Sequence, residues 1–283
     1  MVAALVLFGL MSVTTWISCV ATGRGRVATG GETVRIASWN LRQFSASRDD
    51  LDYDAIAGII RAGDFDLVAI QELKGDGEAL PLLVAALGGG RRWATLVSEP
   101  AGNSERFAYL YDRDRVQFLG DSGFLTSRLD LSRRPYAARF AAGNFDFTLV
   151  SVHLFAGDIH RRRDEARRLA NLLAGRALPA SSGERDVIVL GDFNTTTRRG
   201  GSLAPFEENG WLAAIDAPTN LGGTETLDNL VFDPRRTREW TGDAGVIRFD
   251  DARFAGDDAA AARRVSDHRP VYAVFATDGE DDD

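Results

Sequence analysis

The chain has 283 residues, of which 45% are hydrophobic, and this is enough apolar material for a substantial core. Its net charge of −8 argues against a protein that holds nucleic acid by bulk positive charge. It does not argue against an enzyme whose carboxylates bind a divalent cation, because the cation then supplies the positive charge. The one cysteine, Cys19, excludes an intrachain disulfide.

The first 20 residues form an apolar run that is about long enough to span a bilayer, and a Gly-rich linker follows at 23–31. The run lacks the basic residues that usually begin a secretory signal. Ile17-Ser18-Cys19 weakly resembles a lipoprotein processing site, in which Cys19 would carry the lipid. We therefore expect residues 1–31 to be an export signal or membrane anchor with its linker, and the protein to be secreted or membrane-anchored outside the cytoplasm.

Strand and helix patterns fill residues 32–277 without an internal repeat, and an acidic tail follows at 278–283. Strands are predicted at 34–39, 65–70, 93–97, 106–111, 115–119, 136–140, 145–152, 186–190, 227–232, 245–249 and 271–275. Helices are predicted from Asp52 or Asp54 to Ala62, and at 78–87, 160–178 and 206–210. Turn residues at 112–114 and 143–144 predict two hairpins. This mixture indicates one α/β domain with mixed sheets covered by helices.

The segment Asp186–Asn194 reads DVIVLGDFN, and its apolar run is typical of a strand buried on both faces. Asp192 and Asn194 follow at the end of this strand. Their oxygens suit Mg²⁺, Mn²⁺ or Ca²⁺. An Asx turn is the alternative interpretation of Asp-Phe-Asn taken alone.

Three other predicted strands also end in polar side chains, and Asp267-His268 precedes the last strand. The residues at the three strand ends are Asn40, Glu72 and His153. Taken singly, Asn40 is compatible with a turn, His153 with a core histidine and His268 with a surface turn. An unpaired buried carboxylate at Glu72 is costly. Together these residues supply oxygen ligands for a hard cation and two of the three histidines, which is what metal-assisted phosphodiester hydrolysis requires.

Other catalytic classes are not supported. A His/Cys zinc site is disfavoured because Cys19 stands alone and no HxxxH pair exists. The sequence also has no GxxxxGK[ST] phosphate loop and no GxSxG nucleophile motif.

The motifs SWN, QEL, SVHL, GDFN, LDNLVF and SDHRP, in this order between residues 34 and 275, resemble those of the endonuclease/exonuclease/phosphatase superfamily. Within it, residues 97–119 and 132–135 are most similar to deoxyribonuclease I. The resemblance implies a four-layer sandwich, in which two mixed β-sheets pack face to face with helices on their outer faces.

The resemblance also implies residue roles. It assigns five residues to a metal and phosphate site: Asn40, Glu72, Asp192, Asn194 and Asp267. It pairs Glu105 with His153 and Asp228 with His268, so that the two histidines share the acid and base steps with Asp192 and Asn194 beside them. Arg133 would contact a phosphate, and Arg106 and Tyr109 would line the DNA groove. Asn229 stands where an arginine is common, which would remove one phosphate or minor-groove contact.

The implied function is a monomeric, metal-dependent endonuclease that cleaves DNA with little sequence preference, using Mg²⁺, with Mn²⁺ or Ca²⁺ as further possibilities. A phosphodiesterase or phosphatase acting on a phospholipid or an inositol phosphate is the alternative, and the apolar N-terminus and the acidic charge keep it open. A non-catalytic binding module is disfavoured by the intact set of acidic and histidine residues.

Overall fold

The computed structural model of the protein describes residues 32–125, 130–174, 185–195 and 201–279. The predicted signal or anchor with Cys19, and residues 280–283 of the acidic tail, lie outside the described residues. Within the described ranges, no helix is both long and apolar enough to cross a membrane.

Twelve strands are described in chain order: β1 (Thr33–Phe44), β2 (Leu67–Leu73), β3 (Trp93–Val97), β4 (Arg106–Asp112), β5 (Gln117–Phe124), β6 (Tyr136–Ala142), β7 (Phe145–His153), β8 (Val187–Asp192), β9 (Leu212–Ala213), β10 (Asp228–Phe232), β11 (Trp240–Val246) and β12 (Val271–Ala276). The helices are α1 (Asp50–Ala62), α2 (Ala79–Ala86), α3 (Ile159–Ala174), α4 (Ala204–Glu208), α5 (Phe249–Phe254) and α6 (Asp258–Arg264).

The strands form two six-stranded sheets. The first has the order β11-β12-β1-β2-β4-β3 and the second β5-β6-β7-β8-β10-β9. Both are mixed: β1 and β2 run parallel, as do β7 and β8, whereas the other pairs are antiparallel.

Three apolar clusters fill the space between the layers. Aromatic residues of both sheets, such as Phe107, Phe140 and Phe275, form the cluster between the sheets. The outer face of the first sheet packs against α1, α2, α5 and α6, and that of the second against α3 and α4. The structure is therefore the four-layer α/β sandwich that was predicted.

Helix α1 shows how local sequence sets an element boundary. Its N-cap is Asp49, whose carboxylate accepts a hydrogen bond from the backbone N–H of Asp52 at 2.9 Å, so neither Asp52 nor Asp54 is the cap. Asp52 instead forms an ion pair with Arg264 at the end of α6. Ile56, with the other isoleucines at helical spacing, is buried against the first sheet as predicted.

One of the two predicted hairpins is wrong. Strand β4 lies in the first sheet and β5 in the second. Both edges of β4 are already paired, with β2 and with β3, so the next strand has no free edge to join. The turn is fixed to the first sheet through Arg115, which donates to Asp66, and the chain then crosses to the other layer. The predicted hairpin of β6 and β7 is confirmed.

Further differences concern where elements begin and end and whether they were predicted at all. The first strand continues to Phe44, so Asn40 lies inside it. The strand predicted at 245–249 is displaced to Trp240–Val246, and Phe249 begins α5 instead. Helix α6, which the sequence reasoning missed, lies directly before Asp267 and His268.

Candidate active site

The carboxyl ends of two parallel strand pairs meet at one edge of the sandwich. Asn40 and Glu72 lie toward the ends of β1 and β2, and His153 and Asp192 end β7 and β8. Asp192 is paired in register with His153 on one side and with Asp228, the first residue of β10, on the other. The topology therefore collects the predicted strand-end residues in one place.

Asp192 is the centre of this cluster and is almost fully buried. Its Oδ2 lies 3.0 Å from Asn40 Nδ2, 3.5 Å from His153 Nε2 and 3.8 Å from His268 Nε2. Its Oδ1 accepts a hydrogen bond from the backbone N–H of Asn194 at 2.8 Å. Both histidines thus present their Nε2 atoms to the same carboxylate.

The first histidine is paired with Glu105, as predicted. His153 Nδ1 lies 3.1 Å from Glu105 Oε2. Arg133 donates to both oxygens of Glu105, and Lys74 Nζ lies 3.4 Å from Oε1. Burial would raise the pKa of Glu105, but His153 and Arg133 hold this pKa far below its usual range. These contacts therefore favour the anionic form of Glu105 beside the imidazole.

The second histidine is paired with Asp228, also as predicted. His268 Nδ1 lies 2.9 Å from Asp228 Oδ2, which also accepts a hydrogen bond from Thr219 Oγ1 at 2.7 Å. Burial would lower the pKa of His268, but the carboxylates of Asp228 and Asp192 raise it to about 10. Each histidine thus has a carboxylate beside Nδ1, and its Nε2 faces Asp192.

The oxygen donors around Asp192 fit a hard divalent cation. Asn40 Nδ2 donates to Glu72 Oε1 as well as to Asp192 Oδ2, both at 3.0 Å, so one amide joins two carboxylates. Asp267 Oδ1 lies 3.9 Å from His268 Nε2 and has no hydrogen-bond partner among the described residues. The tightest described group of acidic and histidine ligands is Asp192, Asp228 and His268, whose ligand atoms lie within 4.8 Å of one another.

Asn40 takes a role that its residue type did not reveal. Its Oδ1 accepts a hydrogen bond from the backbone N–H of Arg42 at 2.9 Å, while its Nδ2 faces the carboxylates. Asn40 therefore donates hydrogen bonds to Glu72 and Asp192 and positions their carboxylates.

Unusual backbone conformations mark the same place. Glu72 has φ +61° and Asn194 has φ +51°, both in the left-handed region that L-residues adopt at a cost. Asn194 Nδ2 also donates to the carbonyl of Leu154 at 2.9 Å, which ties the segment after β8 to the segment after β7. Strain of this kind persists where the surrounding structure holds it, often at functional sites.

An open cleft of about 430 Å³ reaches this cluster from the side of His268. Asp267 and His268 line it together with Asn220 and Glu225. A ligand in this cleft would therefore contact Asp267 and His268.

The expectation that Tyr109 lines a DNA groove is wrong. Tyr109 is fully buried in the core between the sheets. Its hydroxyl lies 2.7 Å from the carbonyl of Tyr136 and accepts a hydrogen bond from the N–H of Ser151. Strand alternation places Tyr109 on the same inward face as Phe107. This spacing of two residues already indicated in the sequence that Tyr109 is buried.

The side-chain nitrogens of Arg106, and the amide of Asn229, already have partners in neighbouring parts of the chain. Arg106 donates to the carbonyls of Gly75 and Ser98 and to Asp76, and its side chain is 13% exposed. Asn229 is buried and exchanges hydrogen bonds with the backbone of Ile215. Arg133 lies at the site, but its guanidinium is bound to Glu105.

Sequence reasoning missed several supporting residues. Thr219 holds Asp228, and Lys74 with Asn103 holds Glu105. Ser266 donates to the carbonyl of Asn40 at 2.6 Å and accepts from the N–H of His268. Lys74 directly follows the QEL motif and Ser266 is the first residue of the SDHRP motif, which is a usable signal, whereas Thr219 is brought in only by the fold.

Comparison with known proteins agrees with this geometry. The family model described as "Endonuclease/Exonuclease/phosphatase family" matches residues 37–268. A protein named deoxyribonuclease from Thioalkalivibrio sp. (strain K90mix) is 31% identical over 272 residues, covering 86% of this chain and 71% of that protein. The human endonuclease/exonuclease/phosphatase family domain-containing protein 1 is 25% identical, and the match covers 90% of this chain but only 51% of that relative.

Solved structures show the same fold. An endonuclease/exonuclease/phosphatase family protein from Bacteroides thetaiotaomicron superposes with a TM-score of 0.59 at 17% identity, covering 87% of this chain and 98% of that one. A humanized D. rerio TDP2 superposes with a TM-score of 0.59 at 16% identity, covering 87% of this chain and all of that one. The matches in sequence and the arrangement around Asp192 lead to one conclusion: this chain belongs to the endonuclease/exonuclease/phosphatase family.

Proposed function

We propose that this protein is a metal-dependent endonuclease that hydrolyses DNA with little sequence preference and uses Mg²⁺. The observation that carries the proposal is the convergence of His153 and His268, each held by its own carboxylate, on Asp192. The match to the relative named deoxyribonuclease supports DNA as the substrate. The apolar N-terminal run supports action outside the cytoplasm, and one chain supplies all the catalytic groups of the proposed monomer.

In this mechanism each residue has a separate task. A divalent cation held by Glu72, Asp192 and Asp267, with Asn40 positioning the first two, would neutralise charge on the phosphate. One imidazole takes a proton from the attacking water and the other gives a proton to the leaving oxygen. Glu105 and Asp228 hold the Nδ1 side of each ring, which fixes ring orientation and tautomer and leaves Nε2 for proton transfer.

Phosphate contacts complete the proposed site. Asn194 is fixed beside Asp192 by its own backbone and side-chain hydrogen bonds. Arg133 is fixed beside His153 through Glu105. We propose that both contact the phosphate being cleaved or the one next to it.

Nicking of supercoiled plasmid by the full chain tests this function. Mg²⁺, Mn²⁺, Mg²⁺ with Ca²⁺, and EDTA are compared for the wild type and for His153→Ala. The expected result is metal-dependent nicking that falls by ~10²–10⁴-fold in the variant, the usual contribution of a general acid or base. His160→Ala is the matched control, because His160 is exposed on α3 and should leave the rate unchanged.

The opposite result is equally informative. If folded protein leaves the plasmid intact with every metal but hydrolyses a phospholipid or an inositol phosphate, the proposed substrate is wrong and the alternative is favoured.

A further inference from the structure

Glu165 is a buried carboxylate on α3 that no step of the proposed reaction uses. Its side chain is 4% exposed. One oxygen, Oε1, accepts hydrogen bonds from the backbone N–H of Ser132 at 2.9 Å and from its hydroxyl at 2.6 Å. The other oxygen, Oε2, accepts from the backbone N–H of Phe155 at 3.0 Å. A single side chain therefore joins the segment before β6 to the segment directly after β7.

Both of these segments determine where the His153 ring lies. Phe155 is two residues beyond His153 in the chain. Ser132 is followed by Arg133, which donates to both oxygens of Glu105. Glu105 Oε2 in turn lies 3.1 Å from His153 Nδ1. Glu165 thus contacts the chain on both sides of the Glu105–His153 pair without touching either residue of it.

The segment of Ser132 is also packed tightly on the segment that carries Glu105. A Cβ placed on Gly102 would lie 2.3 Å from the carbonyl oxygen of Ser132. The backbone N–H of Arg134 donates to the carbonyl of Ala101 at 3.0 Å. With backbone against backbone, a displacement of Ser132 carries the Glu105 segment with it.

From these contacts we propose that Glu165 is a positioning residue for the hydrolytic reaction, one that sets the placement of Glu105 against His153. The inference rests on the proposed function for its effect on rate, because it takes His153 to perform an acid–base step. Its structural part, the effect on the His153 ring, stands without any substrate.

Glu165→Gln in the full-length protein is the variant that tests this role. Glutamine offers one carbonyl oxygen, so it cannot accept at both segments as the carboxylate does. We expect kcat for phosphodiester hydrolysis to fall by ~10–100-fold, the usual cost of a small misplacement of a reacting group. KM should also rise, because the displaced segment carries Arg133, one of the two proposed phosphate contacts.

Histidine NMR gives a readout that does not depend on activity. The chain has only three histidines, so their ring signals are assigned with few variants. At a fixed pH, the His153 ring signal should move in Glu165→Gln, while those of His160 and His268 stay in place.

Asp112→Asn is the matched control. Asp112 is a buried carboxylate at the other end of β4, 1% exposed, and accepts from Arg92 and from the N–H of Asp114. Its loss should lower the melting temperature as Glu165→Gln does, but leave kcat and the His153 ring signal unchanged.

An unmoved His153 ring signal in folded Glu165→Gln overturns the proposal, and so do equal movements of all three histidine signals. If Glu165→Gln does not fold, Ser132→Ala removes the hydroxyl that donates to Glu165 and accepts from Arg161, and should lower kcat by about 2- to 10-fold. An unchanged kcat and an unmoved His153 signal in that variant would also overturn it. Absence of hydrolysis in the wild type contradicts the proposed function instead, and the ring signals then still decide the role of Glu165.

Discussion

The three histidines of the chain differ in their surroundings. His153 and His268 are buried, and each has a carboxylate beside Nδ1 and Asp192 near Nε2. His160 lies exposed near the start of α3. A buried imidazole held by a carboxylate on one nitrogen is suited to exchange protons at the other. At the scale of single residues, the proposed chemistry therefore depends on what each histidine contacts.

Tyr109→Phe tests the corrected role of this tyrosine. The substitution removes the hydroxyl that contacts the Tyr136 carbonyl and leaves the N–H of Ser151 without its acceptor. We expect the free energy of unfolding to fall by ~1–3 kcal/mol, because buried polar groups lose their partner. Urea denaturation measures this loss, and plasmid nicking should show an unchanged KM. A raised KM at unchanged stability would instead return Tyr109 to the DNA-binding surface.

At the scale of elements, residues at the ends of strands form the candidate site. Gly191 precedes Asp192 with φ +145°, and a Cβ there would lie 2.0 Å from the carbonyl oxygen of Val152. The close approach of β7 and β8 that brings His153 beside Asp192 thus requires glycine. The segment after Asn40 is held against the residues before Asp267 by the hydrogen bonds of a side chain instead.

Gly191→Ala should cost more stability than a glycine substitution that meets only backbone strain. We expect a loss of ~2–4 kcal/mol in the free energy of unfolding, since the strand pair must move apart. Gly256→Ala is the control, because Gly256 has φ +79° and nothing within 4 Å of an added Cβ. It should cost about 1–2 kcal/mol. Equal losses in the two variants would contradict the close-approach explanation.

The side chain of Arg48 holds the segment after Asn40 in place. Its guanidinium donates to the carbonyls of Leu41 and Arg42 and also to those of Arg264 and Val265, at distances of 2.6 to 3.2 Å. It thus ties the chain beyond Asn40 to the end of α6, two residues before Asp267. Burial lowers the pKa of Arg48, and the nearby carboxylate of Asp52 opposes only part of this shift.

In Arg48→Lys the ammonium group cannot span the same four carbonyls, because its donors share one nitrogen. We expect the Mg²⁺ concentration for half-maximal nicking to rise by ~10-fold, as is usual when groups that orient metal ligands are lost. Arg61→Lys is the control, since Arg61 donates to the carbonyl of Ala86 on the helical layer of the first sheet. An equal rise in both variants, or no rise in Arg48→Lys, would contradict this role.

At the scale of the whole molecule, a buried ion pair joins two distant parts of the chain near the site. Arg269 and Asp250 are 2% and 1% exposed, and Arg269 Nε donates to Asp250 Oδ1 at 2.8 Å. The pair joins the start of α5 to the residue after His268. Burial would raise the pKa of Asp250, but the hydrogen bonds from Arg269 hold this pKa below its usual range.

The lowered pKa of Asp250 predicts that this carboxylate contributes to acid unfolding. Because the unfolded chain binds this proton more readily, the stabilisation is complete above the unfolded pKa of about 4 and is lost as the pH falls toward the folded value. Asp250→Asn should cost ~3–5 kcal/mol at pH 7, since Arg269 stays buried and uncompensated. Denaturation at neutral and acidic pH should then show a smaller acid-induced loss in the variant than in the wild type. An equal loss would show that other carboxylates govern acid unfolding.

The sequence by itself determined the fold class and indicated which residues lie together at the candidate site. Alternation and apolar runs identified most of the strands, and the polar residues at their ends, such as Asp192 and His153, were visible because each ends a largely apolar strand. Both histidine–carboxylate pairs came from the family resemblance, and the structure brings both together.

Only the tertiary structure decided which strands share a sheet and which polar groups remain available. The pattern of β4 and β5 matched a hairpin, yet β4 had no free edge, because its neighbours come from distant parts of the chain. Tyr109 and Arg106 carried suitable side chains for DNA, but the fold surrounds one with core and the other with carbonyls and a carboxylate. Local sequence specifies which residues share a face of a strand, whereas what lies opposite that face depends on contacts far apart in the chain.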